Sequence, residues 1–253
     1  MKNVRHLIGA AAVTLLFWQA ICAFGDWHEA LFPSPLATLL GFGELIKDGV
    51  LFEDVAASLV RFAVGYFASV LLALAAGLIL GWYSKVWAYL NPIAQVLRPV
   101  SPVAWLPFIV LFFGIGEAPA IVIIFLAAFF PVLLATVAAV QKLDPVYLKV
   151  AQNFGIKEPA VFTKIILPAI FPQIATGLHL ALGTAWVFLV AGEMVGAQSG
   201  LGFLIIDARN NLRADLLMAA ILTIGLLGLL LDSAMSLAER QLYRVWGIRG
   251  GKS

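Results

Sequence analysis

Charge is what this sequence has least of. Only 12% of its 253 residues are Asp, Glu, Lys or Arg, while 62% are hydrophobic. Soluble domains carry roughly a quarter charged residues. A chain this poor in charge cannot clothe a water-facing surface, so a soluble domain is excluded and a polytopic, all-α membrane protein is indicated. Cysteine is nearly absent too. Cys22 stands alone, so no internal disulfide can form. Its place in an apolar run, after Gln19-Ala20-Ile21, reads as a small buried hydrophobe rather than a lipoprotein cleavage point.

Catalytic and metal-binding patterns are also missing. His6, His28 and His179 are scattered without ligand spacing, so no metal site is expected. No cluster of His, Asp, Glu or Ser falls at mid-membrane depth, so the chain does not read as an intramembrane enzyme. The tail 250–253 spells GGKS, but a phosphate loop needs glycine where Trp246 stands. No nucleotide, other cofactor or nucleic acid is expected on this chain.

What the sequence has in abundance is apolar runs, with 22 Gly and 12 Pro. Six runs near the ~20 residues of a membrane span fall at 6–25, 57–82, 99–115, 119–140, 171–194 and 215–236. The first exceeds a signal-peptide core and lacks a small-x-small site, so it reads as an uncleaved span. The third is short and carries Pro99, Pro102 and Pro107. It reads as irregular, or as preceded by an interfacial helix over 86–97. One transmembrane domain over 1–253 is expected, with a core of 55–236. Gly77-x3-Gly81 and Gly192-x3-Gly196 suit close helix contact.

Basic residues set the orientation. With the N-terminus in the cytoplasm, 12 of the 16 Lys and Arg lie inside, Arg98 among them. Lys47, Arg61, Arg209 and Arg213 remain outside, and the loop 26–56 collects Asp26, Glu29, Glu44, Asp48, Glu53 and Asp54. Both termini are then cytoplasmic. Within that loop, FPSPLATLLGFGELI reads as a proline turn and a short helix with Leu36, Leu39 and Leu40 on one face, resting on the membrane surface or capping the bundle.

One cytoplasmic stretch breaks the apolar rule. KVAQNFGIKEPAVFTKIILPAIFPQ, 149–173, alternates polar and apolar residues at helical spacing. A helix from about 145 stops at Gly155, a natural C-terminal cap. A second starts at Glu158-Pro159, with Val161, Phe162, Ile165 and Ile166 apolar and Lys157 and Lys164 exposed. Pro168 and Pro172 are expected to break the chain before the next span. A two-helix element of this kind can fit a groove on a soluble partner.

Gly155, nine residues, then Ile165-x-Leu167-Pro168 resembles the tail of the EAA loop of ABC-importer permeases. The family's Glu-Ala-Ala falls on Lys149, Val150 and Ala151, so only the last alanine agrees. LRPVSPVAWLPFIVLFFGIGE at 97–117 and GEMVGAQSGLGFLIIDARNNLRADLL at 192–217 are similar to the subfamily importing sulfonates, taurine and nitrate. The resemblance implies a type I importer permease fold with about six spans. It implies a homodimer with the path at its interface, two ATP-binding subunits carrying ATP-Mg, an external binding protein, and inner-membrane residence. The coupling loop would span 143–168, through Lys149, Ala151, Gly155, Ile165, Leu167 and Pro168. The implied cargo is an alkanesulfonate or taurine, with nitrate, bicarbonate or a thiamine-precursor-like molecule as alternatives.

Polar residues at membrane depth are the candidates for the path. His179, Thr184 and Glu193 are selected, with Thr136, Thr176 and Trp186 as further polar surface. Glu193 could gate the outer mouth or reach headgroup water. Arg61 could snorkel outward or attract an anion, and Asp232 could pair with Ser236 or a cytoplasmic base. An ATP-independent secondary transporter would show deep ion-coupling acids and an inverted repeat. Neither is evident in the sequence.

Overall fold

The computed structural model describes residues 2–25, 31–156 and 158–246, and every regular element among them is helical. Lipid offers no hydrogen bonds, so a spanning backbone must bond to itself, and a helix does so within one segment. Four helices are long and apolar enough to cross a membrane: α3 (Val50–Trp82), α6 (Glu117–Gln141), α9 (Leu167–Gly196) and α11 (Ala214–Trp246). α1 (Lys2–Phe24) covers the first expected span.

The Pro-rich third span is a broken one. α4 (Ser84–Leu97) leads through a turn at 98–101 into a 3-10 turn, Pro102–Trp105, and α5 (Leu106–Phe113). The two halves meet at 84°. Arg98 keeps helical geometry before Pro99, whereas Ser101 is extended, φ −59° and ψ 131°, as a residue before proline prefers, so the break is set at Ser101-Pro102.

α3, α6 and α9 form the core. Along α3, Gly65, Ser69, Ala73, Gly77 and Gly81 recur every fourth residue, placing one small-residue stripe against α6. A Cβ added at Gly77 would lie 2.6 Å from Thr136 Cβ, and one at Gly81 2.7 Å from Val140 Cβ. The Ser69 hydroxyl donates across the same contact to the Phe125 carbonyl at 2.9 Å. α9 answers with its own small face. Added Cβ atoms at Gly192 and Gly196 would lie 3.1 Å from Ala120 Cα and 3.2 Å from Pro119 Cβ. Both glycine pairs thus sit at close helix contacts, as expected.

Other expectations need correction. α3 begins at Val50 rather than 57, so Asp54 belongs to a helix and not to a loop. The early start is held by tertiary partners of its polar residues, described below. α2 (Pro35–Lys47) forms as expected, with the Ser34 side chain accepting from the Ala37 N–H at 3.1 Å. Its packed face is Thr38, Gly41 and Leu45, and Leu36, Leu39 and Leu40 are exposed, so the leucine stripe does not cap the bundle and is free to rest on the membrane surface. Gly41 lets α2 lie against Asp215 of α11, and Arg213 bonds both Glu44 and Asp215 to fix that crossing. Cys22 is half-buried, with its thiol 3.6 Å from the Pro33 carbonyl.

Pro168 and Pro172 do not break the chain. Pro168 sits in the first turn of α9, where its missing N–H costs nothing, and Pro172 lies inside the same helix. A π-helical turn, Phe162–Ile166, precedes them. Its wider ladder lets the proline ring pass where a regular helix would clash.

Replacing Gly77 with Val should force α3 off α6 and lower stability by about 1–3 kcal/mol, the usual cost of overpacking. Gly43→Ala, inside α2 where no atom lies within 4 Å, should instead raise stability by about 0.5–1 kcal/mol. Thermal unfolding of the detergent-solubilised protein measures both.

Candidate functional site

At one end of the bundle a helical hairpin projects. α7 (Pro145–Asn153) ends in a left-handed Gly155, φ 64°, and the Ile156 N–H returns to the Ala151 carbonyl at 3.0 Å. This is a Schellman stop, which explains the glycine. The chain then re-enters helix at α8 (Glu158–Val161), passes the π turn and continues into α9. Ala151 and Ile166 are buried against the bundle, and Ile165, Leu167 and Pro168 are half-buried. Lys149 and Gly155 are exposed. Val146, Tyr147 and Phe154 are exposed as well, Phe154 at 78%, so the tip shows apolar surface beside its charge. Lys157 lies outside the described residues.

On one side of the bundle an open cavity of about 660 Å³ lies between the broken span, α6 and α9. Thr184 lines it, together with Leu180 and Phe188 of α9 and Phe130 of α6. The 98–101 turn forms another wall, which brings Arg98 and Ser101 to the cavity. Arg98, placed by sequence in a cytoplasmic segment, therefore opens onto the bundle. The Thr184 hydroxyl is turned back onto its own helix, 2.8 Å from the Leu180 carbonyl. Thr136 and Thr176 do the same with Val132 and Pro172.

His179 lies on α9 but does not line this cavity. Its Nδ1 is 3.2 Å from Asp232 and its Nε2 2.8 Å from Glu239, so the ring bridges α9 to α11. Asp232 therefore faces a histidine rather than Ser236 or a base. Trp186 makes a second tie, donating to the Ile224 carbonyl of α11 at 3.1 Å.

Glu193, near the far end of α9, reaches no headgroup water. It is 1% exposed and accepts from the Arg61 guanidinium at 2.8 Å, the Ser58 hydroxyl at 2.9 Å and the Gly202 N–H at 2.9 Å. Arg61 does not snorkel either; it is 1% exposed. It also donates to the Ser199 carbonyl at 2.7 Å and hydroxyl at 2.6 Å. Asp54, Ser58 and Arg61 fall at i, i+4 and i+7, on one face of α3. Asp54 accepts the Gly200 N–H at 2.7 Å and Ser58 the Leu201 N–H at 2.9 Å. The free N–H groups starting α10 (Leu201–Asn210) thus find two carboxylates and a hydroxyl. Gly200 has φ 102°, and a Cβ there would collide with Glu193.

This network was missed in the sequence. Its signal was polar residues at helical spacing in an apolar run, together with Ser199-Gly-Leu-Gly202. His179, Thr184 and Glu193 are not brought together, since His179 and Glu193 stand about 21 Å apart along α9 at 1.5 Å per residue.

A membrane-spanning helical core, a broken helix at an open cavity and an exposed hairpin at one end define a class of transport protein. The chain belongs to the family described as binding-protein-dependent transport system inner membrane component, which matches residues 69–244. It is 35% identical to the taurine transport system permease protein TauC of Escherichia coli, covering 95% of this chain and 90% of that one. It is 36% identical to the putative aliphatic sulfonates transport permease protein SsuC of Bacillus subtilis, over 92% and 84%. The nitrate import permease protein NrtB of Leptolyngbya laminosa is 35% identical, over 92% and 86%. An inward-facing structure of the MetNI methionine ABC transporter shares the fold, with TM-score 0.59 at 16% identity over 79% of this chain and 97% of that one. The chain is the permease component of an ABC importer of the inner membrane, and ATP hydrolysis resides in a separate subunit.

Glu193→Ala would leave Arg61 buried without its main counter-charge and should cost about 3–5 kcal/mol. Arg61→Met with Glu193→Met should recover part of that loss. Unfolding in detergent of Arg61→Met, Glu193→Met and the double variant tests this, and a double variant as destabilised as the sum of those two single ones would contradict it.

Proposed function

We propose that this chain imports a small organic sulfonate, an alkanesulfonate or taurine, as one half of a homodimeric permease. Two ATP-binding subunits carrying ATP-Mg act at the hairpin end, and an extracytoplasmic binding protein delivers cargo at the other. The basic residues support placing both termini and the hairpin in the cytoplasm. Sulfonate relatives that align over more than nine-tenths of this chain support the cargo. Nitrate is the second reading, favoured by the nitrate relative.

The observation that carries the mechanism is continuity. From Glu158 the hairpin's second arm runs through the π turn into α9, and α9 walls the cavity at Leu180, Thr184 and Phe188. A displacement of the hairpin by the ATPase is therefore delivered to the cavity wall through one helix. Gly155 and Pro168 set the geometry of that lever, Ala151 and Ile166 seat it, and Lys149 stands on its exposed side. The π turn marks where the lever flexes.

Cells lacking this chain should fail to grow on 1-butanesulfonate as sulfur source while growing on sulfate. Equal growth on both would count against the cargo. Gly155→Pro cannot adopt φ 64°. The variant should insert normally yet lose ATP-driven uptake, and normal uptake would remove the coupling role from this loop.

A further inference from the structure

Arg61 is matched by Glu193 and Arg213 by Glu44 and Asp215. Arg98 differs. Among the described residues no carboxylate pairs with it, and it borders the cavity. Arg98 is exposed on the open side of this cavity, so its charge is within reach of an entering ligand. The backbone agrees, since non-helical chain within a membrane bundle is tolerated where it lines a cavity, and the 98–101 turn does so.

We propose that this cavity is a binding site for a small organic anion with an apolar tail and no cationic group, and that Arg98 is its anion contact. The inference rests on the importer reading above and adds the site and its selectivity. The planar guanidinium presents paired donors that match two oxygens of a sulfonate. Thr184 cannot compete as donor, because its proton is already directed at backbone carbonyls. The remaining walls include Ile109, Leu126, Phe130 and Phe188, which suit a short alkyl chain. Among the described residues no Asp or Glu lines the cavity, so the ammonium of a zwitterion such as taurine would be desolvated there without a partner from this chain. At about 660 Å³ the space exceeds one such ligand, and a loose fit suits a passage that must release its cargo.

The test uses the assembled transporter in a Cys22→Ala background. In cells, Arg98→Gln should lower 1-butanesulfonate uptake by about tenfold, the effect of losing a charge-assisted hydrogen bond. Arg98→Cys should be equally impaired. It should regain uptake after aminoethyl methanethiosulfonate, which restores a positive charge, and not after the sulfonatoethyl reagent. An arginine needed only for folding would be rescued by neither reagent, because both act on the already folded protein. In nanodiscs without binding protein, the fluorescence of Trp105, which lines the cavity, should respond to 1-butanesulfonate at lower concentration than to taurine, and not in Trp105→Phe. Unchanged uptake by Arg98→Gln, equal rescue by both reagents, or an equal response to taurine would overturn the site while leaving the importer reading intact. If the unsubstituted transporter takes up no 1-butanesulfonate while hydrolysing ATP, the sulfonate reading falls and this inference with it.

Discussion

The close approach of three backbones is the constraint on which the rest of the structure depends. Lipid gives helices little hydrophobic reason to associate, so contact area and local polar bonds must hold them together. The four-residue stripe from Gly65 to Gly81 lets α3 settle onto α6, and the small face of α9 settles on the other side. With side chains removed from the contact, interhelical polar bonds become short enough to form. Ser69 reaches the Phe125 carbonyl, and Tyr66 reaches that of Leu178 at 3.0 Å. The cavity exists because the broken span, unlike α3, cannot lie flush against α6 and α9.

α9 links the parts. One end is continuous with the hairpin, its middle walls the cavity, and its far end is pinned by Glu193 to α3 and to the start of α10. A helix fixed at one end and levered at the other has its largest relative displacement where the hairpin joins. Under the proposed coupling, the π turn sits there and the buried ion pair sits at the fixed end. Buried pairs add little net stability but penalise mispairing. In this molecule the Arg61–Glu193 pair specifies one register of α9 against α3.

Much of this was legible in sequence because it depends on local chemistry. Apolar runs gave the spans, Gly155 gave the hairpin stop, and the prolines at 99, 102 and 107 gave the broken span. Pro168 and Pro172 misled because a breaker rule cannot see a π turn that widens the preceding ladder. Arg61 and Glu193 were separated into snorkelling and headgroup-facing residues because their partnership spans more than 130 positions. Helical periodicity in Asp54, Ser58 and Arg61 was present, but acidic residues near an apolar run were counted as loop. Leu36, Leu39 and Leu40 formed a stripe, yet the glycine at 41 decided which face packs.

On the proposed mechanism the hairpin at 145–166 receives the ATPase movement and passes it to α9. The most direct measurement is disulfide crosslinking from Asn153→Cys, in a Cys22→Ala background, to single cysteines on the co-purified ATP-binding subunit. The account predicts a specific crosslink whose yield changes between nucleotide-free and ATP-bound states and disappears when the hairpin sequence is scrambled. A folded complex with no crosslink from this position, or one indifferent to nucleotide, would contradict it.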